Sequence, residues 1–100
     1  MSQICYVITN AAYPEWVKVG FTSKSEMTSR LRVYQTGSPF RDYEVYHQVL
    51  FDDAKSAEKE VHSRLKQMGA QKKNEWFKIS KKLAANIIDA VFDDIENGLI

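Results

Sequence analysis

Two runs near the start of the chain, Gln3-Ile4-Cys5-Tyr6-Val7-Ile8-Thr9 and Glu15-Trp16-Val17-Lys18-Val19-Gly20-Phe21, decide the fold class. Both are dense in β-branched and aromatic residues, and Asn10-Ala11-Ala12-Tyr13-Pro14 between them supplies turn-forming Asn and Pro. This is the pattern of a β-hairpin with a loop of about five residues. Alternation in the second run puts Trp16, Lys18 and Gly20 on one face and Val17, Val19 and Phe21 on the other. The valine face turns to the core, and Lys18 emerges on the opposite side.

Beyond the hairpin, Thr22 or Ser25 can cap a helix over residues 26 to 36, with Gly37 as its stop and Pro39 just past it. Met27, Leu31 and either Tyr34 or Gln35 form its inner stripe, with Arg30 and Tyr34 one turn apart beside it. Residues 43 to 51 alternate as a third strand, with Val45, His47, Val49 and Phe51 set against Tyr46, Gln48 and Leu50. Asp52 or Asp53 caps a helix over about 54 to 68 that Gly69 ends, with Ala54, Ala57, Val61, Leu65 and Met68 as its apolar stripe. Glu58 and His62 sit one turn apart on the edge of that stripe. Residues 70 to 74 read as a polar loop and 75 to 79 as a short strand. Ser80 caps a last helix to about Glu96, with Leu83, Ile87, Ile88, Val91 and Ile95 facing inward and Gly98 ending it. The order ββαβαβα predicts an α+β fold: a small mixed or antiparallel sheet of three to four strands flanked by three helices. Residues 1–100 form a single domain, with a core over about 3–80 and a C-terminal helix over about 81–97.

Composition narrows the function classes. Hydrophobic residues at 44% and charged residues at 27% are those of a globular chain rather than a disordered one. No apolar run approaches the roughly 20 residues of a membrane span, and the single Cys5 fits a reducing, cytoplasmic setting. One Cys with two distant His residues makes no zinc pattern, and the four scattered glycines make no phosphate-cradling loop. The net charge of +1 hides an asymmetry: residues 1–42 carry a net +2, residues 81–100 a net −2. A polyanion would approach the N-terminal half, although the strongly basic surface of a non-specific DNA coat is absent.

In order and spacing, several fragments resemble the GIY-YIG nuclease superfamily, specifically its phage-type T5orf172 or MUG113-like branch. The resemblance runs from about Ile4 to Ser80. Ile4-Cys5-Tyr6 stands for the opening Gly-Ile-Tyr, followed by Val7-Ile8-Thr9-Asn10. Lys18-Val19-Gly20 stands for Tyr-Ile-Gly, inside a Val-Lys-Val-Gly stretch of the kind common in this branch. Arg30 falls on the family's helical arginine, ahead of Thr36-Gly37-Ser38-Pro39; Glu58 falls on the metal-binding glutamate within an E-x-x-x-H helix; Glu75-Trp76-Phe77 closes the core. Two departures bear on activity: Lys18 replaces the second motif's tyrosine, and Tyr34 stands where relatives often carry histidine. Either Asn74 or Glu75 lies at the family's late asparagine.

What the resemblance implies is a metal-dependent endonuclease acting on nucleic acid, with DNA expected ahead of RNA. Arg30 would neutralise charge developing on the phosphate through its planar, permanently charged fork. Glu58 would hold one Mg²⁺ or Mn²⁺, hard cations that prefer oxygen ligands. Tyr6 would orient or deprotonate the attacking water, Lys18 would lower the phenol's pKa or act as base itself, and His62 would orient the carboxylate or assist proton transfer. Lys24, Tyr34, Glu75 and Trp76 are the candidate substrate contacts. Simpler readings stand beside these: Arg30 as a surface partner of Glu26, Glu58 of His62 or Lys55, and Tyr6 as a strand aromatic. The alternative function is a catalytically weakened module that binds nucleic acid or a protein partner without cutting. Without a second targeting module, the chain would either cut with little sequence preference or rely on self-association, for which Phe92 and Leu99 on the last helix offer a surface, or on a partner protein.

Overall fold

The computed structural model describes residues 3–23, 43–74 and 76–100. Along the chain these form β1 (Gln3–Asn10), β2 (Trp16–Thr22), β3 (Tyr43–Phe51), α1 (Ala54–Gln67), β4 (Gln71–Lys73), β5 (Trp76–Lys78) and α2 (Lys81–Glu96). The strands make one sheet in the order β3-β1-β2-β5-β4, and every neighbouring pair is antiparallel. The fold is therefore α+β, with five strands where three to four were expected. The helix expected over 26–36 lies outside the described residues. No helix among the described residues is long and apolar enough to cross a membrane.

The additional strand is β4, within the stretch expected to be a polar loop. All three of its residues are exposed, so it carries no apolar alternation by which a sequence could announce it. Main-chain pairing makes it a strand, with Gln71, Lys72 and Lys73 opposite Lys78, Phe77 and Trp76. Asn74, just after it, has φ +57°, the left-handed conformation that tight hairpin turns demand. The Lys72 ammonium lies 5.7 Å from the centre of the Phe77 ring. Lysines on an outermost strand also discourage edge-to-edge pairing with other chains.

Both described helices contribute to the cluster on one face of the sheet. Cys5, Val7, Val17, Val19 and Phe77 from the strands meet Ala54, Ala57, Val61 and Leu65 of α1 and Ala84, Ile87, Ile88 and Val91 of α2. The expected stripes are right in their centres and wrong at their ends. Met68, Leu83 and Ile95 are exposed, because Met68 is the C-cap of α1 and the buried face of α2 turns through Ala84 and Ala85. Asp53 caps α1 by accepting from Ser56 N–H, and Ser80 caps α2 by accepting from Leu83 N–H. Both helices close in the same way. Gly69 and Gly98 adopt positive φ, and the next residue's N–H returns to the carbonyl five residues earlier (Ala70 to Leu65, Leu99 to Asp94). Arg64 joins the helices, donating to Glu60 at 3.0 Å and to Asp94 at 2.6 Å.

A second buried cluster lies on the other side of β1: Ile4, Tyr6 and Ile8, with Tyr43 and Val45 packed against them. Uninterrupted alternation in β3 would keep Val45 on the face of Val49 and Phe51. Instead the register shifts between Val7 and Ile8: Val7 pairs with His47 but Ile8 pairs with Val45, so Tyr46 is an extra residue on β3. This bulge transfers Tyr43 and Val45 to the Tyr6 face. His47, before the shift, instead bonds Asp89 of α2 at 2.7 Å.

Cys5 is fully buried, and that burial, reinforced by the nearby negative charge of Glu58, pushes its thiol pKa up to about 12. Thiolate is the reactive form. The native protein should therefore be inert to a disulfide reagent at pH 8 and react fully in denaturant. Rapid labelling of the native state would show that the β1–α1 packing is not closed.

Candidate active site and aromatic pocket

Tyr6 and Gly20 face each other across β1 and β2. A Cβ at Gly20 would lie 2.6 Å from the Tyr6 hydroxyl oxygen, 2.8 Å from Cζ and 3.1 Å from Cε1. The phenol ring thus lies directly over the glycine, and the glycine is needed for space rather than for an unusual dihedral. Its hydroxyl end is carried across to β2, although the side chain as a whole is 1% exposed. Lys18 is half-buried two residues before Gly20, on the same face, opposite Ile8 on one side and Trp76 on the other. Tyr6 and Lys18 therefore share a sheet face.

Glu58 and His62 come from the other face. Glu58, half-buried, follows Ala57 of the α1 stripe and lies close enough to Cys5 for its charge to act on the thiol. His62 Nε2 is 2.8 Å from the Val19 carbonyl oxygen, and its ring meets the edge of Phe77 with centroids 4.8 Å apart. A carbonyl only accepts, so Nε2 is the donor in this bond. Among the described residues β5 pairs with β2 over Trp16, Val17 and Lys18, and Val19 is the next residue along β2. The His62 ring thus satisfies the Val19 carbonyl.

The two pairs thus meet the sheet at one level from opposite faces: His62 at Val19, Tyr6 at Gly20, and Glu58 beside Cys5, whose partner is Phe21. Among the described residues no strand pairs with Val19–Thr22 on the side away from β1. Arg30, Tyr34, Lys24 and Glu75 lie outside the described residues. Among the described residues no three His, Cys, Asp or Glu side chains gather as a metal cage. A magnesium ion that keeps most of its waters needs only one or two carboxylates, and the partly exposed Glu58 suits that donor set.

Trp76, expected as a substrate contact, leads to a feature the sequence did not disclose. Together with Tyr13, Trp16, Tyr43, Lys73 and Asn74 it lines a pocket of about 370 Å³ on the Lys18 side of the sheet. Its members come from the β1–β2 loop, the start of β2, the start of β3 and the β4–β5 hairpin, so only the sheet order gathers them. The one available sequence signal was the concentration of aromatics around a turn. A second hollow, of about 420 Å³, lies among Leu50, Phe51, Phe92, Ile95 and Ile100, with Asp52, Asp53, Glu60 and Glu96 around it. Its carboxylates make it unsuited to a polyanion.

A family model described as the T5orf172 domain matches residues 3–93. Comparison with curated proteins and with solved structures gave no match.

The contact between Tyr6 and Gly20 leaves no room for even one methyl group. Gly20→Ala should destabilise the protein by about 1–3 kcal/mol through overpacking, read as a shift in the urea midpoint. An unchanged midpoint would mean that the phenol is not held against β2.

Proposed function

Since this chain belongs to the T5orf172 domain family, we propose that it is a metal-dependent endonuclease that hydrolyses phosphodiester bonds in DNA. The family match supports a nuclease-like or nucleic-acid-binding module. The observation that carries the finer reading is that Tyr6 from one face and Glu58 and His62 from the other meet one level of β2, just past its described pairing with β5.

Under this reading each chain group has one task. The Tyr6 phenol, fixed over Gly20, orients the attacking water or accepts its proton. Lys18, on the same face, offers positive charge to the phenolate. Arg30 spreads its guanidinium over the phosphate oxygens as charge builds on them. Glu58 would hold one Mg²⁺ or Mn²⁺, which supplies Lewis acidity at the phosphate and the departing oxygen. His62 acts as a positioning residue: its bond to Val19 fixes α1, and with it Glu58, against β2.

A second reading, a binding module that no longer cuts, is favoured by Lys18 in place of a motif tyrosine and by the nearly complete burial of Tyr6. Incubating the protein with supercoiled plasmid and Mg²⁺ or Mn²⁺ separates the two. Nicking that EDTA abolishes, and that Glu58→Gln and Arg30→Ala each reduce by about 100-fold or more, is the expected result. Salt-sensitive DNA binding without nicking would replace the enzyme with the module, and neither activity would remove both.

A further inference from the structure

We propose that the aromatic pocket accepts an unstacked nucleobase, so that the preferred ligand of this face is single-stranded nucleic acid rather than closed duplex. The proposal rests on the nucleic-acid reading above and adds the class of strand. Four aromatic rings, one lysine and one amide line the pocket, and among the described residues no carboxylate does. Both tryptophans of the chain are among them. Base faces stack on aromatic rings whatever the base, whereas a duplex offers only edges until a base is unstacked. The Tyr43 and Trp76 rings diverge by 47° at a centroid distance of 6.2 Å, so neither ring face is covered by a parallel stack on the other.

The loop that carries Tyr13 is organised in advance. Asn10, itself buried, accepts the Ala12 N–H on its side-chain oxygen at 2.8 Å; the Tyr13 N–H returns to the Asn10 carbonyl at 2.9 Å, and the Trp16 N–H to the Tyr13 carbonyl at 3.0 Å. Yet Tyr13 is 58% exposed. A large aromatic held outward on a tied loop presents area to a ligand at little further ordering cost. Charge agrees with this occupant. Lys73 stands at the rim and Lys18 lies opposite Trp76, while the loop's acid, Glu15, is turned to Lys78 at 3.7 Å. A phosphate flanking the inserted base would meet the ammonium groups of Lys73 and Lys18.

The test uses the full chain carrying Glu58→Gln, in EDTA, so that no cleavage intervenes. The ligand is a fluorescein-labelled oligothymidylate of about 15 nucleotides, near the upper end of single-strand site sizes, compared with a blunt duplex of equal length. Because both tryptophans line the pocket, intrinsic emission reports its occupancy while anisotropy reports binding anywhere. The expected result is saturable quenching by the single strand, with at least tenfold tighter binding than duplex. Tyr13→Ala should weaken binding about 5- to 100-fold, and Tyr13→Phe should retain it. Single-strand binding with unchanged tryptophan emission, or with unchanged affinity in Tyr13→Ala, overturns the pocket and leaves the nuclease reading standing. Tighter binding of duplex does the same. Failure of every nucleic acid to bind overturns both.

Discussion

Ile4 to Ile8 put five consecutive side chains out of water, and β1 is paired along both edges, with β2 on one side and β3 on the other. A strand closed on both edges and both faces satisfies its main chain entirely through its neighbours. The remaining elements are arranged around that requirement. The Cys5 and Val7 side receives α1 and α2, while the Ile4, Tyr6 and Ile8 side receives the start of β3. Tyr43, Val45, Val49 and Phe51 occupy alternate positions that unbroken alternation would send to one face, and the extra residue at Tyr46 divides them: Val49 and Phe51 pack with the helices, Val45 and Tyr43 with Tyr6.

Placing a tyrosine inside such a strand creates a steric problem that β2 resolves. The ring occupies the place where its cross-strand partner's Cβ would be, so the partner is glycine. The tyrosine of the first motif and the glycine of the second are thus a single packing unit. A phenol held this way has little freedom to wander. Under the proposed chemistry that rigidity is useful, because a proton acceptor fixed before the reaction needs no reordering during it. The same burial bears on the alternative reading, since a hydroxyl packed this closely has little surface to offer a substrate.

Local physics made most of the fold legible. The bounds of β3 match expectation, α1 stops one residue short of it, and Asp53, Ser80, Gly69 and Gly98 occupy the expected capping positions. What stayed hidden depends on pairing between distant segments. Strand β4 has no apolar pattern, the bulge at Tyr46 is invisible in a sequence that alternates cleanly, and the pocket assembles from four separated segments. Of the candidate site, the position of Lys18 opposite the valine face of β2 and the helical pairing of Glu58 with His62 followed from period alone, whereas the face that Lys18 shares with Tyr6 came from the strand register. That the two pairs lie on opposite faces did not follow from period, because it depends on which face α1 covers. The bond from His62 to Val19 could not be foreseen either, since it lies just past the point where the described pairing of β5 with β2 stops.

That stopping point divides β2 in two. From Trp16 to Lys18 the strand is paired, and its Trp16 face belongs to the aromatic pocket; from Val19 to Thr22 it has no strand partner on that side among the described residues, and there Glu58, His62 and Tyr6 approach. Lys18 is the boundary residue, opposite Trp76 and two positions from Gly20. It is also the residue that departs from the family's tyrosine. If a single strand seats a base in the pocket, the phosphates beside that base run toward Lys18 before they reach Tyr6. An ammonium at that position holds a polyanion more strongly than a neutral phenol does. Under the proposed function the replacement would give β2 a group that secures the strand and would leave Tyr6 as the one motif phenol beside the reacting phosphate.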